Sequence, residues 1–177
     1  MTGLVGDFSE LDKFSSITLL PTGCFSEMSI SKIYSSHVTE IKGEVFPSMV
    51  EEIILPNAVF KDSGRYRKPG WWGNTNLTKV VLPNMFDISA GATETLVDVN
   101  RFEGCTNLVE CDVSNATKLV GEIFKNCSKL DHLEFNKLEK IGVNGTFYGV
   151  PRLRWIKLNA NFMCTLETYD RIFDGSF

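Results

Sequence analysis

The sequence predicts an α/β repeat solenoid, a stack of about seven coils in which each coil adds one short strand to a parallel sheet. Three observations predict it. Phe102 and Phe124 begin similar segments 22 residues apart, each segment carries apolar residues two positions apart, and Gly often ends the following stretch. Residues two apart face the same side of a strand, and so short a unit buries that side only against its neighbours. We expect short helical turns and loops on the opposite side.

The repeat is clearest in the segments that begin at Phe102, Phe124 and Phe147. Each reads F-x-x-x-x-x-L-x-x-Φ-x-Φ, where Φ is an apolar residue. The two Φ residues point to one face of a short strand because Φ-x-Φ has the period of a strand, and the Phe and Leu fill the interior at the turns. The last inward positions of the seven predicted strands are Leu19, Ser35, Leu55, Leu82, Val113, Phe135 and Leu158.

The first half of the chain keeps this phase less regularly. We expect the first strand at Ile17 and Leu19, the second behind Cys24 at the interior turn position, and the third behind a shortened turn at Phe46. Ser35 puts a hydroxyl group at an inward position. A single array over 1–177 is therefore divided into irregular coils 1–60, coils with insertions 61–97 and regular coils 98–177.

Composition and charge exclude several classes of protein. The 18 basic and 22 acidic residues give a formal charge of −4, which is not the charge of a dedicated nucleic-acid-binding protein. No apolar run is long enough for a membrane-spanning helix. The N-terminus carries no signal-peptide pattern, which favours locations other than the secretory route if Met1 is the natural start.

No catalytic or metal-binding motif is present. The two histidines, His37 and His132, lie far apart, and no phosphate loop, HExxH or GxSxG motif occurs. The five cysteines are irregularly spaced, and Cys105 and Cys127 are one repeat apart. We interpret these two as small buried side chains. The sequence therefore predicts a protein that is not an enzyme and needs no cofactor or metal.

A family resemblance rests on the segments F-E-G-C-T-N-L from Phe102, F-K-N-C-S-K-L from Phe124, and V-V-L-P ending at Pro83. These resemble the leucine-rich repeats of BspA-type surface proteins of bacteria and protists. The resemblance implies a right-handed leucine-rich-repeat superhelix with a parallel sheet on one side. It also implies a role in binding or adhesion at the cell surface, and it supplies no catalytic residue.

Stacked coils place equivalent residues in rows along the exposed face of the sheet. Tyr34, Ile54 and Val81 form an apolar row there, and such a patch often marks a partner-binding site. The alternative is that β-branched and aromatic residues simply suit strands. The preceding row is predicted to be a ladder of alternating charges, composed of Lys32, Glu52, Lys79 and Glu110.

The second half of the sheet face is polar. Asp112 beside Glu134 is a like-charge pair that Lys157 offsets, and a weak cation or amine site is one interpretation. His132 next to Trp155 suits stacking on a sugar or an aromatic ligand; the alternative is an ordinary exposed pair.

An insertion over 61–72 concentrates cations and aromatic residues in an otherwise acidic chain. Trp71 takes the interior position of the repeat. The other side chains are of the types that dominate protein interfaces, although a solvated loop is the alternative. These candidate contact residues are Arg65, Tyr66, Arg67, Lys68 and Trp72.

Taken together, these features predict a non-catalytic binding module, an adhesin-like protein that recognises a protein or glycan partner through the sheet face and the insertion. Two alternatives stay open: a structural or assembly component, for instance of a phage particle, and an intracellular scaffold. The corresponding locations are the cell surface, the virion and the cytoplasm. Neither end has a polar cap, so we also expect a partner, a second copy or further chain to cover the ends.

Overall fold

The computed structural model describes residues 5–43, 45–60, 73–84, 102–119, 122–141, 146–160 and 162. Each coil contributes one strand to a sheet on one side of the solenoid. These strands are β1 (Val5–Phe8), β3 (Ser29–Tyr34), β5 (Glu52–Ile54), β7 (Lys79–Val81), β8 (Glu110–Asp112), β10 (His132–Glu134) and β12 (Trp155–Lys157). All pairings are parallel, in the order β1-β3-β5-β7-β8 and then β10-β12. The predicted parallel-strand solenoid is confirmed.

The other side of the solenoid is a second ladder of two-residue strands. They are β2 (Leu19–Leu20), β4 (Glu40–Ile41), β6 (Val59–Phe60), β9 (Lys118–Leu119) and β11 (Lys140–Ile141). They pair in parallel as β2-β4-β6 and β9-β11. Short helical turns were expected on this side. Within the described ranges, the only helical segment is a 3-10 helix at Ser9–Lys13.

A stack of phenylalanine rings fills the turn side of the core. Phe102, Phe124 and Phe147 are fully buried. The Phe102 and Phe124 rings lie 5.5 Å apart, and the Phe124 and Phe147 rings lie 5.7 Å apart, each pair nearly parallel. Because each ring covers the next, this phenylalanine stack joins three successive coils through apolar contact.

Two residues after each of these phenylalanines, the backbone turns in the left-handed region. The φ angles are 76° at Gly104, 61° at Asn126 and 69° at Gly149. Glycine adopts this conformation without steric cost, and asparagine tolerates it better than most residues. The amide groups of Gly104 and Asn126 then donate to carbonyls of the next coil, those of Lys125 and Tyr148.

The predicted position of the first strand is wrong. The first sheet strand is β1, which pairs with β3, whereas Leu19 belongs to the second ladder and pairs with Glu40. Ile17 and Leu20 have the same spacing as Val38 and Ile41 on the back of the next coil. The apolar pattern around residue 17 therefore marks the back of the first coil.

Two predicted interior positions also differ. Phe25, at 6 % exposure, takes the position expected for Cys24, because its amide donates to Val45 O as the amide of Phe102 donates to Ile123 O. Leu158 was expected to point inward but is 38 % exposed, whereas Phe135 in the preceding coil is 1 % exposed. The next coil, which contains β12, packs over Phe135. Leu158 follows β12, the last described strand of the sheet, so no described strand packs over it.

Cys105 and Cys127 are fully buried, as expected, and Cys127 Sγ donates to Phe102 O at 3.0 Å. Burial raises the pKa of the Cys105 thiol to about 12 and the pKa of Cys127 well above its usual value. Cys24 is only partly buried, and burial raises its pKa to about 11.

Thiol labelling should follow this order of burial. In a Cys164→Ala background, an aromatic disulfide reagent should modify Cys24 before Cys105 and Cys127. Cys105 and Cys127 should react at least about 100-fold more slowly than in the unfolded chain, because the thiolate is scarce and access is blocked. Peptide mass spectrometry against time, in buffer and in denaturant, measures this. Equal labelling rates for Cys24 and Cys127 in the folded protein would contradict it.

Within the part of the chain that the structure describes, no helix has the length and apolar character needed to cross a membrane.

Candidate partner-binding surface

The predicted apolar row exists in the sheet. Tyr34 lies opposite Ile54, and Ile54 lies opposite Val81, in three adjacent parallel strands. Tyr34 is 36 % exposed, and the other two side chains are half-buried. Their inward neighbours Ile53 and Val80 are fully buried, as the period of two requires. We call Tyr34, Ile54 and Val81 the apolar strip.

The row beside the apolar strip is the predicted ladder of alternating charges. Lys32 Nζ lies 2.8 Å from Glu52 Oε1, and Lys79 Nζ pairs with Glu110 Oε2. The hydrogen bond from Lys79 to Glu110 raises the pKa of that lysine, and the nearby Glu52 adds to the shift. Pairs this exposed contribute little to stability, about 1 kcal/mol or less each. Their main effect is to leave the row next to the strip electrically neutral.

The row of the apolar strip continues into carboxylates. Val81 lies opposite Asp112 in β8. Asp112 Oδ1 accepts a hydrogen bond from the amide of Ser114 at 3.0 Å, and no cationic side chain among the described residues pairs with it. Glu134, one coil further, lies 3.3 Å from Lys157 Nζ, as the sequence predicted.

The sheet is interrupted where these two carboxylates meet. No strand pairing joins β8 to β10, although both strands lie within the described ranges. The two coils nevertheless stay in register. The amide of Asn136 donates to Ser114 O, and on the second ladder strand β9 pairs with β11, with Lys118 opposite Lys140. Like charges in adjacent strands oppose close approach. The two like charges, Asp112 in β8 and Glu134 in β10, therefore lie on the two strands between which the sheet is interrupted.

A metal site at this gap is not supported. Among the described residues, no group of three or more His, Cys, Asp or Glu side chains could hold a metal ion. Two carboxylates, one of them already paired with a lysine, are a poor match for a hard cation, which prefers six or more oxygen ligands.

The His132 and Trp155 rings stack on each other. Their centroids are 4.7 Å apart with 20° between the planes. Asp131 Oδ2 lies 3.3 Å from His132 Nδ1, and the hydrogen bond from Arg154 lowers the pKa of the Asp131 carboxyl. Trp155 stays 45 % exposed. These four side chains form a linked group at the C-terminal part of the sheet face.

A third row on this face was missed by the sequence analysis. Backbone hydrogen bonds align Glu51, Thr78 and Val109 immediately before strands β5, β7 and β8. Val109 is 42 % exposed. A period of two would turn it inward with Cys111, but the strand begins only at Glu110, so the alternation does not extend to this residue. Strand ends are the part of such a pattern that sequence locates least well.

The predicted contact residues of the insertion, Arg65, Tyr66, Arg67, Lys68 and Trp72, lie outside the described residues. The flanks of the insertion are described. Phe60 ends β6 on the second ladder, and the amide of Gly73 donates to Glu103 O at the turn. Neither flank belongs to the sheet face, so the insertion and the apolar strip must be tested as separate surfaces.

Comparison with protein-family models found one family, described as the BspA type leucine rich repeat region (6 copies), which matches residues 7–92 and 71–174. Searches of curated proteins and of solved structures returned no match. The matched ranges cover nearly the whole chain. Leucine-rich repeats of this kind serve in protein interaction and are generally non-catalytic. The chain belongs to the BspA-type leucine-rich-repeat family.

Proposed function

We propose that the protein is an adhesin-like recognition module that binds a protein partner across its sheet face, with the apolar strip at the centre of the contact. The observation that carries this proposal is the strip itself, because three apolar side chains are aligned in register on an exposed face. Interfaces commonly combine such an apolar centre with a polar rim. The neutral charge row and the Asp112–Glu134 step supply that rim.

The chemistry of the strip favours a protein over a glycan. Ile54 and Val81 offer no hydrogen-bonding group, whereas a sugar surface carries hydroxyl groups that lose free energy when they are buried without partners. The lysines beside the strip are already paired with carboxylates, so few unpaired charges have to be desolvated when an apolar partner docks. The aromatic and cationic residues of 61–72 would provide a second contact.

The experiment uses a displayed library of random linear peptides, selected on the immobilised protein. The double variant Tyr34→Ser/Val81→Ser should weaken binding of the selected peptides about 10- to 100-fold, because it removes the apolar centre of the contact. Binding is measured by titration on a biosensor, and circular dichroism checks that the variant is folded.

The matched control is Tyr148→Ser, which removes an aromatic residue of 44 % exposure on the turn side, away from the sheet face. It should leave peptide affinity unchanged. Binding that survives the double variant but is lost in Tyr66→Ser/Trp72→Ser would move the site to the insertion and overturn the proposal for the sheet face.

A further inference from the structure

We infer that the partner segment carries a cationic side chain, an arginine being the best match, that sits on Asp112 next to the residues covering the apolar strip. This inference rests on the proposed function and names the chemistry of the partner. It is carried by the charge pairing of the sheet face, by the register of Asp112 and by the gap in the ladder.

Charge pairing on the sheet face leaves a negative surplus. Each basic side chain of the outward rows has a carboxylate partner; the pairs are Lys32–Glu52, Lys79–Glu110, Arg154–Asp131 and Lys157–Glu134. Asp112 and Glu51 have no cationic partner among the described residues. Only Asp112 lies in the row of the apolar strip. A partner that covers the strip must therefore meet this carboxylate.

The register makes one short segment sufficient for both contacts. Asp112 is the direct cross-strand neighbour of Val81, about 4.8 Å away in a parallel sheet. Side chains on one face of an extended segment are spaced by about 7 Å, and those on one face of a helix by about 5.4 Å per turn. The long side chain of arginine or lysine spans the difference. An apolar residue on Val81 and a cation on Asp112 can thus be near neighbours in the partner.

The carboxylate of Asp112 is oriented for such a contact. The amide of Ser114 holds its Oδ1 at 3.0 Å, and Oδ2 accepts no hydrogen bond within the described part of the chain. Arginine forms directional paired hydrogen bonds with carboxylates, which favours it over lysine at this position.

Asp112 and Glu134 occupy equivalent positions in the strands on either side of the one step where the sheet ladder is interrupted between described strands. Like charges in neighbouring strands are unfavourable, and Glu134 already has a cationic partner in Lys157. A partner cation on Asp112 would reduce this repulsion.

The test uses the same displayed peptide library. The selected peptides should contain arginine or lysine within a few residues of an apolar or aromatic residue. A synthetic peptide of the selected sequence should lose at least about tenfold in affinity when that arginine is replaced with glutamine, and a similar factor when the protein carries Asp112→Asn. On Asp112→Lys, selection should instead enrich acidic residues.

Glu51→Gln is the matched control. It also removes an exposed carboxylate that has no cationic partner among the described residues, but Glu51 lies outside the row of the apolar strip, so affinity should change less than about threefold. Asp112→Asn should raise the melting temperature slightly, because it removes one of two like charges in neighbouring strands, so a loss of affinity would not come from a loss of folding.

Selected peptides without a basic residue, or full affinity for Asp112→Asn, would overturn the inference. If Tyr34→Ser/Val81→Ser abolishes binding while Asp112→Asn does not, the proposed function stands and the inference fails. If neither variant affects binding, or if the library yields no binder, both fail.

Discussion

Replacing Phe124 with alanine is expected to lower the free energy of unfolding by about 4 kcal/mol. The ring is fully buried between Phe102 and Phe147, at centroid distances of 5.5 Å and 5.7 Å. Removing it forfeits the burial of a large apolar side chain, leaves a cavity and breaks both ring contacts. Denaturant unfolding followed by circular dichroism measures the change.

The same variant should also unfold less cooperatively. Phe124 stacks on Phe102 across the step where β8 and β10 are not paired, so at this step the ring contact adds to the backbone hydrogen bonds of the turn and of the second ladder. In a solenoid, stability depends on the contacts between neighbouring coils. We expect a second transition or a smaller denaturant dependence. Phe14→Ala, which removes a phenylalanine of 56 % exposure, is the control. A loss of less than about 1.5 kcal/mol, half of the low end for replacing a buried phenylalanine with alanine, would show that the stack is not structural.

Replacing Asn74 with alanine should cost about 2 to 4 kcal/mol. Asn74 is 5 % exposed; its Nδ2 donates to Val50 O at 2.9 Å and its Oδ1 accepts from the amide of Asn76 at 2.8 Å. Alanine would leave a buried carbonyl and a half-buried amide without partners, and each such group costs about 1 to 3 kcal/mol. Thermal and denaturant unfolding provide the measurement.

Asn107→Ala is the matched control for Asn74→Ala. Its Nδ2 also donates to a carbonyl of the preceding coil, that of Thr75, but at the surface, where water replaces the lost bond. We expect a loss below about 1 kcal/mol. Equal losses for the two variants would mean that burial of Asn74 does not determine its contribution.

The regular coils could be predicted from sequence because their repeat length is nearly constant. From Phe102 onward the repeat length varies by a single residue, so the apolar period of two and the repeat agree on which side chains point inward. The same agreement predicted the apolar strip and the charge row, since their members occupy one position in successive strands.

The first coil could not be predicted in this way. Its back, at Ile17 and Leu20, has an apolar spacing that also suits a strand of the sheet, and β1 carries a register shift between Gly6 and Phe8 that no repeat indicates. The apolar pattern of the sequence cannot show which of the two sides of a coil a segment forms when both sides are β-strands. The assignment requires the strand with which the segment pairs.

Asn74 and the gap between β8 and β10 depend on three-dimensional context. Asn74 occupies the position of Cys105 and Cys127 in later coils, and its Nδ2 donates to Val50 O at the end of a turn from Phe46 that is shorter than the turn from Phe102 to Leu108. This carbonyl gives the buried amide of Asn74 a partner inside the core. The sequence shows the short turn and the asparagine separately, and only the fold brings them together.

The left-handed turn shared by the coils of Phe102, Phe124 and Phe147 makes these coils equivalent building units. Gly104, Asn126 and Gly149 give three coils the same backbone path into the next coil. Unequal recombination within the encoding gene could therefore add or delete one whole coil without remodelling its neighbours. The choice of turn residue is restricted, since the left-handed backbone suits Gly and Asn, and a Cβ on Gly149 would collide with the side-chain oxygen of Asn126. The number of coils in such an array can therefore change as long as each added turn keeps a residue that tolerates this backbone.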